Sequence, residues 1–211
     1  MSNLIRKIKK KIKHLIKKKV AYGFKSSSAY LSSNAIVFNP QKLFLYDNAS
    51  IKEESVILNA RANFIMKKNS HAAMGLRVFP GNHMRIPGRW YIDVKDSDKD
   101  MLDTRKEFDQ DIVVEEDVWI GAYVTLLNGS HVGRGCVVGS GTVVRGNLPP
   151  YSIVIGNPAK VVGFVFTPEE ISLHEEMLYA VEERIDPEII KKNYEKYFLK
   201  RLKLIHDYSK L

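Results

Sequence analysis

From Val114 onward, every sixth residue is aliphatic: Val114, Ile120, Leu126, Val132, Val138 and Val144. The residue four places after each of the first five is small or β-branched: Val118, Val124, Ser130, Cys136 and Thr142. Gly121, Gly133 and Gly139 directly follow three of the aliphatic positions. This period suits neither an α-helix nor a simple alternating strand. It suits a solenoid in which each hexad forms one flat side of a triangular coil, with about 18 residues to a turn. The aliphatic side chain points into the prism and stacks on its equivalent one coil away. The residue four places on also points inward, near a corner, so it must be small. Glycine supplies the left-handed backbone that corners need.

A slipping version of the pattern precedes it. Leu45, Ile51 and Ile57 share the period, with Ala49 and Ser55 four places on. Leu58 and Phe64, with Ala62 between them, continue it one residue out of register. The coil is therefore expected over residues 36–166, preceded by a Ser-rich linker over 21–35. Between about 83 and 111 the period disappears, and Asp93, Asp96, Asp98, Asp100 and Asp103 alternate with basic residues. This predicts a long loop ejected from the coil, and loops of that length are uncommon unless functional. After Pro149-Pro150 come a last apolar strand, Ile153 to Ile155, and the turn Gly156-Asn157-Pro158. Thr167-Pro168-Glu169-Glu170 is a helix start with a capping box and proline at its first position. Asp186-Pro187 opens another helix, with a stripe of Ile189, Ile190, Tyr194, Tyr197, Phe198, Leu202 and Ile205. A helical extension is thus expected over 167–211, covering a coil end or a partner subunit.

The net charge of +9 is not spread along the chain. Residues 1–20 hold nine lysines and arginines and no acid, which leaves 24 basic residues against 24 acidic ones in the body. The tail is also periodic, with Leu4, Ile5, Ile8, Ile12, Leu15, Ile16 and Val20 at helical spacing. Lysines interrupt any secretory core, and a mitochondrial presequence is richer in Arg and Ser. The pattern suits an amphipathic helix lying on an anionic membrane. Packing on a neighbouring protein is the second reading. Nucleic acid is the last, because the neutral body offers no wider basic footprint. No apolar run approaches the roughly 18 residues of a membrane span. The chain has a single cysteine, which excludes a disulfide framework and a CxxC zinc site. Cys136, at an inward position, is expected to fill core.

Asp117-Val118-Trp119-Ile120-Gly121, the hexads behind it and Gly156-Asn157-Pro158-Ala159-Lys160 resemble the hexapeptide-repeat acyltransferases, which include galactoside, maltose, serine and streptogramin acetyltransferases. The resemblance covers roughly residues 45–165. Pro80-Gly81-Asn82-His83, followed by an excursion, looks most like the branch that acetylates sugars, antibiotics and surface polysaccharides. It implies an all-β core folded as a left-handed parallel β-helix, a homotrimer, and acetyl-CoA in the groove between two prisms. It implies an O-acetyltransferase activity on a sugar or polysaccharide precursor, with no metal. A CoA donor, with neither a signal peptide nor a span in the sequence, leads to the expectation of a cytoplasmic location, peripheral on the inner face of the membrane if the tail binds there. Acetyl transfer to a hydroxyl needs a base for the hydroxyl proton, and a neutral histidine suits that near pH 7. The resemblance gives His83 this role and puts Asn82 and Trp119 on the acceptor side. It gives Ala122, Ser140, Arg145, Gly146 and Lys160 to the cofactor. The chain departs from the family in two places. Arg145-Gly146-Asn147 stands where Thr-Lys-Asp is frequent, and Gly163 stands where the family places a basic residue.

Among the other histidines, His131 is expected on the surface and His71 along the groove between subunits, while His14, His174 and His206 fall in helical segments. N-acetylation of an amino sugar or antibiotic is the alternative activity. A zinc β-helix needs three converging histidines, which the spacing does not offer. A non-catalytic membrane-associated solenoid is the reading outside enzymes.

Overall fold

The computed structural model describes residues 20–200. The tail expected to be an amphipathic helix therefore lies almost wholly outside it, as do His14, Leu202, Ile205 and His206. Three parallel sheets wrap around one axis. Face one holds β1 (Phe24–Lys25), β4 (Leu43–Leu45), β7 (Phe64–Met66), β10 (Ile112–Val114), β13 (His131–Val132) and β16 (Asn147–Leu148). Face two holds β2 (Tyr30–Leu31), β5 (Ser50–Ile51), β8 (His71–Ala72), β11 (Trp119–Ile120), β14 (Val137–Val138) and β17 (Ser152–Ile155). Face three holds β3 (Ile36–Val37), β6 (Val56–Ile57), β9 (Arg77–Phe79), β12 (Thr125–Leu127) and β15 (Val143–Val144). The chain is a parallel β-solenoid, as the hexads require.

Every inward position read from the hexads is buried, from Val114 to Val144 and from Val118 to Thr142. Cys136 is among them, and burial pushes its thiol up to about 11. Ser70 and Ser130 show why small polar residues are tolerated inside a corner. The Ser70 hydroxyl donates to the Glu115 carbonyl at 2.6 Å, and that of Ser130 donates to the Leu127 carbonyl at 2.6 Å, so neither buried hydroxyl is left unpaired.

Two expectations need correction. The solenoid begins at Phe24, because β1 pairs with β4 and β2 with β5. The serines assigned to a linker are corners of the first coil; the Ser26 hydroxyl, for example, bonds the Asp47 carboxylate. Leu58, read as inward, is 42% exposed. The inward residue is Ile57, and Asn59 is buried after it, its amide donating to the Asn39 carbonyl at 2.8 Å.

Coil length explains the slipping pattern. Val114 pairs with Val132, eighteen residues on. Leu45 pairs with Met66, twenty-one residues on, and Lys25 with Leu45, twenty residues on. The extra residues all enter at the corner between faces three and one. They form the short helix Pro40–Lys42, the turn 58–63 and the excursion 80–111. The excursion contains a helical turn, Tyr91–Asp93, and helix α1 (Asp96–Leu102).

At the far end β18 (Lys160–Phe164) reverses against β17. Helix α2 (Pro168–Leu178) carries the expected capping box. The Glu170 N–H donates to Thr167 Oγ1 at 3.2 Å, and the Thr167 N–H donates to Glu170 Oε2 at 2.9 Å. Helix α3 (Pro187–Tyr194) is capped by Asp186. Ile171 and Ile190 pack on Tyr151 in a small second core. Arg134 anchors the helices to the corner between faces one and two, donating to buried Glu175 at 2.8 Å. Among the described residues no helix is long and apolar enough to cross a membrane.

Candidate active site

The insertions stacked on one corner enclose a cleft of about 690 Å³. Its walls follow the coils in order. Leu58, Ala60 and Arg61 come from the second, Phe79, Gly81, Asn82 and His83 from the third, Leu127 and Asn128 from the fourth, and Arg145 from the fifth. Coils stack about 4.8 Å apart, so the cleft runs roughly 15 Å along the corner with His83 near its middle.

The neck of the excursion sets where His83 stands. Gly81 bridges Asp109 in an antiparallel pair. The Asn82 N–H donates to the Phe108 carbonyl at 2.6 Å, and the Gln110 N–H to the Pro80 carbonyl at 3.0 Å. The Asn82 side-chain carbonyl accepts the His83 N–H at 2.8 Å, which leaves the Asn82 amide group for the cleft. The His83 ring meets Tyr91 edge-on, with centroids 5.3 Å apart. Among the described residues no hydrogen bond reaches the ring, and His83 lines the cleft.

Charge closes the neck from outside. Lys99 of α1 is buried and donates to Asp109 at 2.8 Å and to the Asn82 carbonyl at 3.2 Å. Arg61 reaches Asp109 at 2.8 Å and bonds Asp100; chiefly Asp100, and then Asp109, push its guanidinium up, against burial. Asp103 accepts the N–H groups of Phe108 at 3.0 Å and Glu107 at 2.8 Å, the first of which does most to hold its carboxyl below the usual carboxylate range. Asn128 donates to the Glu107 carbonyl at 2.9 Å, which fastens the neck to the next coil. The acids of the excursion were legible in the sequence. Their partner Arg61, 48 residues before Asp109, was not, and neither was Tyr91.

The remaining expected residues stand elsewhere. Gly146 follows Arg145 at the three–one corner with φ +81°. Ala122 and Ser140 lie between faces two and three, where the Gly141 N–H donates to the Ala122 carbonyl at 2.9 Å. A Cβ on Gly121 would come within 2.6 Å of the Ser140 nitrogen, so that corner admits only glycine. The turn before Lys160 covers the next level of the same corner, with the Val143 N–H donating to the Gly156 carbonyl at 3.1 Å. Trp119 projects from face two and is 54% exposed. Within one chain, then, Asn82, His83, Arg145 and Gly146 flank one side of face three, while Ala122, Ser140 and Lys160 flank the other. His131, expected on the surface, is exposed and pairs with Glu115 at 2.8 Å.

Comparison with known proteins bears on these corners. Residues 111–146 match the family model described as Bacterial transferase hexapeptide (six repeats). A probable acetyltransferase of Mycobacterium tuberculosis is 61% identical over 46 residues, 22% of this chain and 15% of that one. A chloramphenicol acetyltransferase of Klebsiella aerogenes is 48% identical over 65 residues, 31% of each chain. A putative lipopolysaccharide biosynthesis O-acetyl transferase of Escherichia coli K12 is 43% identical over 51 residues, 24% of this chain and 26% of that one. The chain spans less than a third of the length of these curated relatives. The crystal structure of a hexapeptide-repeat acetyltransferase from Vibrio cholerae superposes with a TM-score of 0.58 at 18% identity, covering 74% of this chain and 80% of that one. Residues 111–146 thus match the bacterial transferase hexapeptide model, on a solenoid that shares the fold of a hexapeptide-repeat acetyltransferase.

Proposed function

We propose that this chain transfers an acetyl group from acetyl-CoA to a hydroxyl of a sugar or surface-polysaccharide precursor, with His83 as the general base. The observation that carries this is the placement of His83 midway along the cleft, its ring unbonded and its backbone held by Asn82 and the Lys99–Asp109 neck. The matched relatives are named acetyltransferases, and one of them an O-acetyl transferase of lipopolysaccharide biosynthesis.

Neutral His83 takes the acceptor's hydroxyl proton as the oxygen attacks the thioester carbon. The C–S bond then breaks, and the proton leaves with the CoA thiol. Asn82, with its amide group free, orients the acceptor or the oxyanion beside His83. Leu58, Phe79 and Leu127 supply an apolar wall for a sugar ring. The residues present suit a CoA donor. Arg145 and Lys160 are exposed and form no ion pair among the described residues, which leaves two cations for its phosphates. The small Ala122 and Ser140 allow close approach to backbone. His83 and Arg145 lie on one side of face three, and Ala122, Ser140 and Lys160 on the other, so one prism supplies the base and its neighbour the Ala122–Ser140 wall. That arrangement requires at least a dimer, and a homotrimer closes it with every site equivalent. Trp119 on face two is then available to the neighbour's cleft.

A thermal-shift titration tests the reading. At 100 times its dissociation constant, acetyl-CoA raises stability by about 2.7 kcal/mol. The native chain and His83→Ala should both shift, and only the native chain should turn over. The absence of any shift refutes the donor assignment. Paired hydroxyl and amine acceptors separate O- from N-transfer.

A further inference from the structure

A base must hold one nitrogen toward the hydroxyl it deprotonates. A histidine in that role is usually turned by a hydrogen bond to its other nitrogen. Among the described residues the His83 imidazole has no such partner. Its χ2 torsion is intrinsically broad and roughly two-fold, so the backbone alone does not orient it. Among the described residues, the ring that packs on it is Tyr91. The two centroids are 5.3 Å apart and the planes meet at 71°. This T-shaped arrangement is one that ring quadrupoles favour, and rotation of the imidazole about χ2 breaks it.

Tyr91 is itself held. It opens the helical turn Tyr91–Asp93, and the Val94 N–H donates to its carbonyl at 3.2 Å. Arg89 bonds the Asp93 carbonyl and donates to Asp98 of α1 at 2.8 Å. The Lys95 N–H donates to Asp98 at 2.7 Å, so the turn is tied to α1. Lys99 of α1 holds Asp109 at 2.8 Å and the Asn82 carbonyl at 3.2 Å, on the neck that carries His83. These contacts close a circuit from the His83 backbone, through α1 and the turn, back to the His83 ring. The Arg85 guanidinium lies over the Tyr91 ring, 5.5 Å from its centroid, and restrains it further. Tyr91 is 42% exposed and stands outside the solenoid core, so its replacement leaves the packing of the coils untouched.

We propose that Tyr91 is the positioning residue of the His83 base: the packing of its ring, rather than a hydrogen bond, sets the direction of the imidazole nitrogens. The effect on turnover rests on the acetyltransferase reading above; the ordering of the ring does not.

The test uses the full chain isotope-labelled at histidine Cε1, with the His83 resonance identified by its absence from His83→Gln. Tyr91→Phe keeps the ring and loses only the hydroxyl, whereas Tyr91→Leu keeps an apolar side chain and loses the ring. The His83 Cε1–H resonance should be displaced by the ring current in the native chain and in Tyr91→Phe. In Tyr91→Leu it should move to the position of a freely rotating histidine. There kcat should fall roughly two- to tenfold, the population factor of one edge-to-face ring pair, with the KM for acetyl-CoA unchanged. Tyr91→Phe should recover the native rate. The same His83 resonance in Tyr91→Leu as in the native chain overturns the proposal, because another group, such as one from a neighbouring copy, then holds the ring. An equal fall in kcat in both variants overturns it in favour of the hydroxyl. A native kcat in Tyr91→Leu, with the resonance moved, overturns it because the ordering then has no bearing on transfer. If the resonance moves as expected but the native chain transfers to no acceptor, only the acetyltransferase reading falls.

Discussion

Lys99→Met removes a buried cation while keeping most of its apolar stem. In the native chain Lys99 makes two charged contacts with Asp109, at 2.8 and 3.0 Å, and one with the Asn82 carbonyl at 3.2 Å. Stripping one partner from a fully buried ion pair costs about 3–5 kcal/mol. Here Asp109 keeps Arg61 at 2.8 Å, and its side chain is 15% exposed. The relevant scale is therefore that of a hydrogen bond to a charged group, about 2 kcal/mol. That energy holds the neck rather than the whole solenoid, whose core does not touch Lys99. It should raise the population of the undocked excursion roughly 30-fold. Two amides report it, Asn82 bonded to Phe108 and Gln110 bonded to Pro80. Their hydrogen exchange should accelerate by that factor, while Ile120 and Val138 in the coil stay protected. Catalytic turnover should fall with acetyl-CoA binding kept, and Lys99→Arg should restore part of it. Unchanged exchange at Asn82 and Gln110 would refute the argument that this ion pair holds the neck beside His83 in place.

Other outcomes follow from the coil. Leu126→Ala empties a fully buried position and should cost about 2–5 kcal/mol in denaturant unfolding. Gly135→Ala should cost about 2 kcal/mol or more, because Gly135 has φ +67° and its new Cβ would lie 2.4 Å from the Tyr151 ring. Burial pushes the Glu115 carboxyl up, but hydrogen bonds from His131 and Lys67 outweigh this and bring it down to about 2, from an ordinary 4.5. Its contribution is thus fully present above pH 4.5 and fades as pH falls toward 2; Glu115→Gln should lose less melting temperature over that window than the native chain. With its thiol held near 11 and buried, Cys136 should resist alkylation at pH 8 until the protein unfolds.

The regular coils were legible because eighteen-residue turns repeat one chemical demand at fixed intervals, so six aliphatic positions in phase leave a single geometry. The earlier coils were harder to read. Their insertions at Pro40–Lys42 and residues 58–63 shift the phase without changing the inward chemistry, and this misplaced Leu58 and hid the first coil among serines. That His83 stands at the mouth of the excursion was legible in the sequence. The neck that holds it was not, since Lys99, Asp109 and Arg61 meet only after the excursion folds back over the second coil. The split of Arg145 from Ala122 and Ser140 could not be read either. A hexad assigns a residue to a face, but the corner it borders depends on the count of insertions before it.

The most direct test of the account is the initial rate of thiol release from acetyl-CoA, across a panel of soluble and lipid-linked saccharides, for the native chain and for His83→Ala. The account predicts acceptor-dependent release by the native chain, and a fall of roughly 10²–10⁴-fold in the variant with its acetyl-CoA thermal shift intact. Equal rates in the two proteins would contradict it.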